Sequence, residues 1–105
     1  MPFMGSIKSG VPYTIDITPE TTNSNSTALT FGSITRRDRL REDSLTVPNT
    51  QAATRTDTLS TNVVRLAISI YPPPFGVAQF RLTQGTNVIT YDVNGDTVRV
   101  FDVGP

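Results

Sequence analysis

The stretch "NVITYDVNGDTVRVF" (residues 87–101) decides how this chain is read, because it sets Asn-Gly between two runs that alternate apolar and polar residues. Period-two alternation marks a strand with one buried face, and Asn-Gly readily takes the positive-φ positions of a type I′ turn. The stretch predicts a two-residue hairpin with Asn94 and Gly95 as its structural turn. Pairing Val93 with Asp96 sets Tyr91 opposite Val98 and Ile89 opposite Val100 on an apolar face. Asp92 with Thr97 and Thr90 with Arg99 then line the other face.

Upstream, "NVVRLAISIY" (62–71) puts Val64, Leu66, Ile68 and Ile70 on one face and Arg65, Ala67, Ser69 and Tyr71 on the other, the pattern of a central strand. It stops at Pro72-Pro73-Pro74, which cannot donate ladder hydrogen bonds and favour a stiff crossover. Tyr71 and Phe75 flank that run and are expected to pack over one end of the fold. The chain resumes in "VAQFRLTQ", with Ala78, Phe80 and Leu82 inward. Four strands are thus expected at about 62–71, 76–83, 87–93 and 96–103.

In the N-terminal half, "YTIDIT" (13–18) alternates around Tyr13, Ile15 and Ile17, and "STALTFGSIT" (26–35) places Leu29 and Phe31 inward. Between them "PETTNSNS" (19–26) reads as a polar loop, and residues 36–61 read as a long polar loop region. Six to seven short strands predict an all-β chain, a small antiparallel β-sandwich of jelly-roll or Ig-like type. The 105 residues read as a single β domain, with an extended N-terminal arm over residues 1–10.

Composition narrows the chemistry. Cysteine and histidine are both absent, so thiolate or imidazole metal sites and most catalytic dyads cannot be built. The expectation is a non-enzyme with no cofactor, metal or small-molecule substrate. No apolar run is long enough to span a membrane as a helix, and "MPFMGSIKSG" lacks the apolar core of a secretory signal. Threonine takes 17 positions, and eight of the nine basic residues are arginine. Threonine suits exposed sheet faces, whereas arginine suits interfaces because its planar guanidinium pairs with carboxylates and tolerates partial burial.

The most charged segment is "TRRDRLREDS" (35–44). Its apolar residues do not form a helical stripe, which leaves a solvated loop or hairpin arm. Arg36, Arg37, Arg39 and Arg41 are interleaved with Asp38, Glu42 and Asp43, so the local net charge is only about +1, too little for strong nonspecific phosphate binding. Nucleic acid is therefore the weaker partner expectation. The mixed signs suit a partner of mixed signs, such as another copy of the chain. These four arginines, with Phe3 in the apolar segment "MPFMGSI", are the candidate interface residues.

Other motifs have structural explanations. "YDVNGD" spaces Asp92, Asn94 and Asp96 like the first ligands of a calcium loop, but Val103 stands where the bidentate glutamate belongs. Asn25-Ser26-Thr27 matches a glycosylation sequon and reads as turn chemistry. The composition points to a self-assembling structural protein, either a virion component (capsid, decoration or tail protein) or a surface filament subunit. Its expected location is a virion or an extracellular surface assembly, and its expected partners are further copies or other structural subunits. The alternative is a monomeric binding module, inhibitor-like or adhesin-like, that presents loops 19–26 and 36–61.

Overall fold

The computed structural model describes residues 3–20, 24–74 and 76–104, with side chains from residue 7 onward. Among the described residues the chain forms nine strands: β1 (Phe3–Lys8), β2 (Tyr13–Pro19), β3 (Ser26–Thr35), β4 (Leu40–Pro48), β5 (Ala53–Asp57), β6 (Val63–Tyr71), β7 (Val77–Gln84), β8 (Asn87–Asn94) and β9 (Thr97–Gly104). They make a five-stranded sheet in the order β1-β9-β6-β3-β4 and a four-stranded sheet in the order β5-β2-β7-β8. The pairing is antiparallel apart from β1, which runs parallel to β9. No helix among the described residues is long and apolar enough to cross a membrane.

The two sheets form a β-sandwich in which the alternating apolar residues face each other. Ile15 and Ile17 of β2 and Phe80 and Leu82 of β7 come from one sheet. Leu29 and Phe31 of β3, Leu66, Ile68 and Ile70 of β6, and Phe101 of β9 come from the other. All are at most 4% exposed, and each such side chain contributes about 1.5 to 3 kcal/mol by leaving water. The pairs are nested, β2 with β7 and β3 with β6, so the chain folds back on itself as one long hairpin wrapped into two layers.

The strands expected at 13–18, 26–35, 62–71, 76–83, 87–93 and 96–103 form within a residue or so of those bounds. The hairpin between the last two does not. β8 pairs with β7 in the four-stranded sheet, whereas β9 lies between β1 and β6 in the other. The turn residues are there, with Gly95 at φ 89°, but the turn carries the chain across the gap between the sheets instead of closing a ladder. The parity of β9 changes accordingly. Phe101 and Val103 point inward, whereas Val98 is 55% exposed on the outer face.

Three further expectations are corrected. The 36–61 region contains β4 and β5, the edge strands of the two sheets. The N-terminal arm is held by its own chain, because β1 pairs with β9 from Phe3↔Val100 to Lys8↔Gly104. On β6 the buried residue near the start is Val63 rather than Val64, because a register shift sets Thr35 opposite Val63. Phe75, expected to pack over one end, lies outside the described residues, as does part of the 19–26 loop.

A buried amide ties β1 to the four-stranded sheet. The Gln84 side chain accepts from the Lys8 N–H at 2.8 Å and donates to the carbonyls of Lys8 at 2.9 Å and Val11 at 3.0 Å. Gln84→Leu removes all three bonds while keeping an apolar stem, and leaving such groups unpaired costs about 1 to 3 kcal/mol. The expected result is a lower urea midpoint with an unchanged denaturant slope.

Candidate functional site

The arginine-rich segment is the tip of the β3–β4 hairpin. The ladder closes at Ile34↔Leu40, the Asp38 N–H donates to the Thr35 carbonyl at 3.0 Å, and the Thr35 N–H donates to the Arg39 carbonyl at 3.0 Å. Asp38 sits at φ 56°, so Arg36-Arg37-Asp38 forms a three-residue loop ending in a left-handed residue, a conformation aspartate tolerates better than most. The Arg36 N–H donates to the Asn62 carbonyl at 2.8 Å and fixes the tip against the start of β6.

The candidate interface residues are not brought together. Arg36, Arg37 and Arg39 lie at the exposed tip, and Arg41 lies on β4 beside a cleft between the sheets. Phe3 opens β1 at the opposite edge of the same sheet, and its side chain lies outside the described residues. Within the segment the paired charge is Asp43, which bonds Arg55 of β5. The Arg55 guanidinium, then the Ser44 N–H, hold the Asp43 carboxyl below its ordinary value.

Arg55 explains why β4 and β5 could not be read as strands. Its guanidinium lies 4.4 Å from the centroid of the Phe31 ring and 3.7 Å from the Asp57 carboxylate. Along the inward side of β4 and β5 the apolar residues Leu45, Val47 and Ala53 give way to Arg41, Asp43 and Arg55, which breaks the alternation that would reveal a strand. Inward charge on edge strands discourages sheet-to-sheet addition. Arg99 takes a similar position elsewhere between the layers, 4.5 Å over the Tyr91 ring, which in turn stacks on Phe80 at 4.9 Å. Cation–π contacts of this kind contribute about 0.5 to 2 kcal/mol, and they give part of the arginine excess a structural role.

Behind Arg55 the sheets enclose an open cleft of about 390 Å³. Its floor is apolar, from Phe31, Leu59, Val63 and Leu66, and its rim is polar, including Ser33, Arg41, Asp57 and Asn62. Tyr13 lines it as well. Burial, then the charge of Asp57, push the Tyr13 hydroxyl up to about 12. An unfolded tyrosine ionises near 10, so the folded state disfavours the tyrosinate. Stability from this group is fully present below pH 10 and is lost as pH rises toward 12. Denaturant midpoints measured at pH 9, 10 and 11 are expected to fall, and in Tyr13→Phe that fall becomes smaller.

The outer faces of both sheets mix polar residues with exposed apolar ones, such as Val88 at 55% on the four-stranded sheet. On the four-stranded sheet, β2, β5, β7 and β8 present Thr14, Thr54, Thr56, Thr83 and Thr90 around Asp16 and Arg81, which accounts for much of the threonine excess. Cross-strand bonds satisfy part of this face, with Thr14 and Thr56 hydroxyls 3.1 Å apart and Thr54 donating to Asp16 at 2.7 Å.

The outer face of the five-stranded sheet is mixed. One row runs Val100–Ala67–Gly32–Glu42, one neighbouring row runs Asp102–Arg65–Ile34–Leu40, and the row on the other side runs Val98–Ser69–Thr30–Ser44. Leu40 is 59% exposed, Val98 55% and Tyr71 42%. Gly32 keeps the middle low: a Cβ there would stand 3.3 Å from Leu40 Cδ1, so a side chain would displace the leucine lying across it. Arg65 and Asp102 face each other at 3.9 Å and largely cancel. Sequence reasoning missed this face, although β9 carried its signal in Val98 and Val100 on one side and Phe101 and Val103 on the other.

No protein-family model, no curated protein and no solved structure matches this chain.

Proposed function

We propose that this chain is a non-catalytic structural protein that assembles with copies of itself, as a virion component (capsid, decoration or tail protein) or a surface filament subunit. The observation that supports this reading is the group of large apolar side chains left exposed on the outer face of the five-stranded sheet, Leu40 at 59%, Val98 at 55% and Tyr71 at 42%. Five strands at about 4.8 Å spacing, paired over six to seven residues of about 3.3 Å each, give a face of roughly 500 Å². Two copies packed through it bury about 1,000 Å², the threshold for a specific interface. Formal net charge is zero, so no long-range repulsion opposes association.

Because the chain has no cysteine, a single label reports on each face separately. In Val98→Cys, an environment-sensitive fluorophore should shift to shorter wavelength as protein concentration rises. In Thr90→Cys, on the opposite sheet, emission should stay constant. Constant emission from both positions would count against the reading.

A further inference from the structure

We propose that the cleft between β3, β4 and β5 binds a neutral, polyhydroxylated ligand of one or two sugar rings. The volume of about 390 Å³ falls within the range of small-molecule sites, which begins near 300 Å³. Its floor is the edge of the core, Phe31, Leu59, Val63 and Leu66, each at most 7% exposed, so it gives a ring only a small apolar contact and the polar rim carries the recognition.

The rim supplies both kinds of hydrogen-bonding group. Ser60 donates its hydroxyl to the Asn62 side-chain oxygen at 2.7 Å, which turns the Asn62 amide nitrogen to donor duty. Arg41 adds a guanidinium, and Tyr13 adds a hydroxyl. Asp43 and Asp57 are the acceptors. Vicinal hydroxyls both donate and accept, so they match a rim of this mixture better than a purely anionic or cationic ligand does.

Charge leads to the same chemistry. The cleft carries Arg41 and Arg55 against Asp43 and Asp57, a formal sum of zero, so neither anions nor cations are strongly favoured. The groups are also fixed before any ligand arrives. Asp43 accepts from the Ser44 N–H and Asp57 from the Thr58 N–H, both at 2.8 Å, and Arg55 is held on the Phe31 ring. Side chains already ordered lose little entropy on binding. The site is independent of the proposed assembly, because the exposed Leu40, Val98 and Tyr71 lie on the other side of the five-stranded sheet.

The test is a two-dimensional amide NMR titration of the full chain with glucose, galactose, N-acetylglucosamine and their β-1,4-linked disaccharides, with sodium acetate and guanidinium chloride as charged probes. At least one neutral sugar is expected to give saturable shifts clustered on Ser33, Arg41, Asp57 and Asn62, with Kd on the order of 1 mM or tighter. Asp57→Asn and Asn62→Ala should each weaken that binding about tenfold while leaving the remaining spectrum in place. Thr90→Ala should leave it unchanged. Absence of saturable shifts with every sugar, shifts that map elsewhere, or saturation by acetate or guanidinium alone would overturn the assignment.

Discussion

Phe101→Ala is expected to lower folding stability by about 3 to 5 kcal/mol, whereas Val98→Ala, three residues away on the same strand, should change it by no more than about 0.5 kcal/mol. Phe101 is fully buried in the core, and its truncation removes a ring from between the sheets and leaves a cavity. Val98 projects outward and is 55% exposed. A local hairpin at Asn94-Gly95 predicts the opposite order, since it places Val98 on the buried face beside Tyr91. Urea denaturation of the two variants therefore decides between a β9 that crosses to the other sheet and a β9 that folds back on β8. A domain of this size is stable by roughly 5 to 15 kcal/mol, so the larger loss would leave Phe101→Ala near the edge of folding.

Ala67→Glu is expected to abolish self-association without unfolding the chain. Ala67 lies on the middle strand of the five-stranded sheet, between Val100 and Gly32, where a glutamate side chain points to solvent in a single copy. In a face-to-face pair the same carboxylate becomes desolvated and unpaired. An unpaired charge buried in an interface costs about 2 to 5 kcal/mol, which weakens association at least about 30-fold. Thr90→Glu on the opposite sheet should leave association as it was. Sedimentation velocity at matched concentrations reads the difference, and circular dichroism checks that both variants keep the sheet signature.

Much of the fold was legible because strands with one buried face announce themselves. β2, β3, β6 and β7 alternate cleanly, and their inward residues are those the sequence pattern selects, except at the start of β6, where Val63 takes the place of Val64. The topology around Asn94-Gly95 was not legible, for a physical reason. Turn chemistry is local: a short link with Gly95 at positive φ can reverse a strand within one sheet or carry it about 10 Å to the facing sheet. What separates these outcomes is the partner of β9, and β9 pairs with β6, a strand about 30 residues earlier in the chain. Its apolar residues on both faces were compatible with either parity.

β4 and β5 were hidden by their inward charges. Arg41, Asp43 and Arg55 occupy positions where alternation would have been visible, and their partners, Phe31 and Asp57, become neighbours only after folding. The cleft was illegible for the same reason, since its walls are assembled from β2, β3, β4, β5, β6 and residues 58–62. The four arginines were legible only as part of a solvated loop or a hairpin arm. Their separation into three tip residues and one cleft residue follows from the left-handed Asp38 and the register of the β3–β4 ladder, which composition does not encode.

The measurement that bears most directly on assembly through the outer face of the five-stranded sheet is the molar mass of the protein in solution. Light scattering behind a sizing column, at about physiological salt and over a wide range of loading concentrations, should give masses that rise with concentration toward integral multiples of 11.4 kDa. A mass that stays at 11.4 kDa at every concentration would contradict self-assembly through the five-stranded sheet.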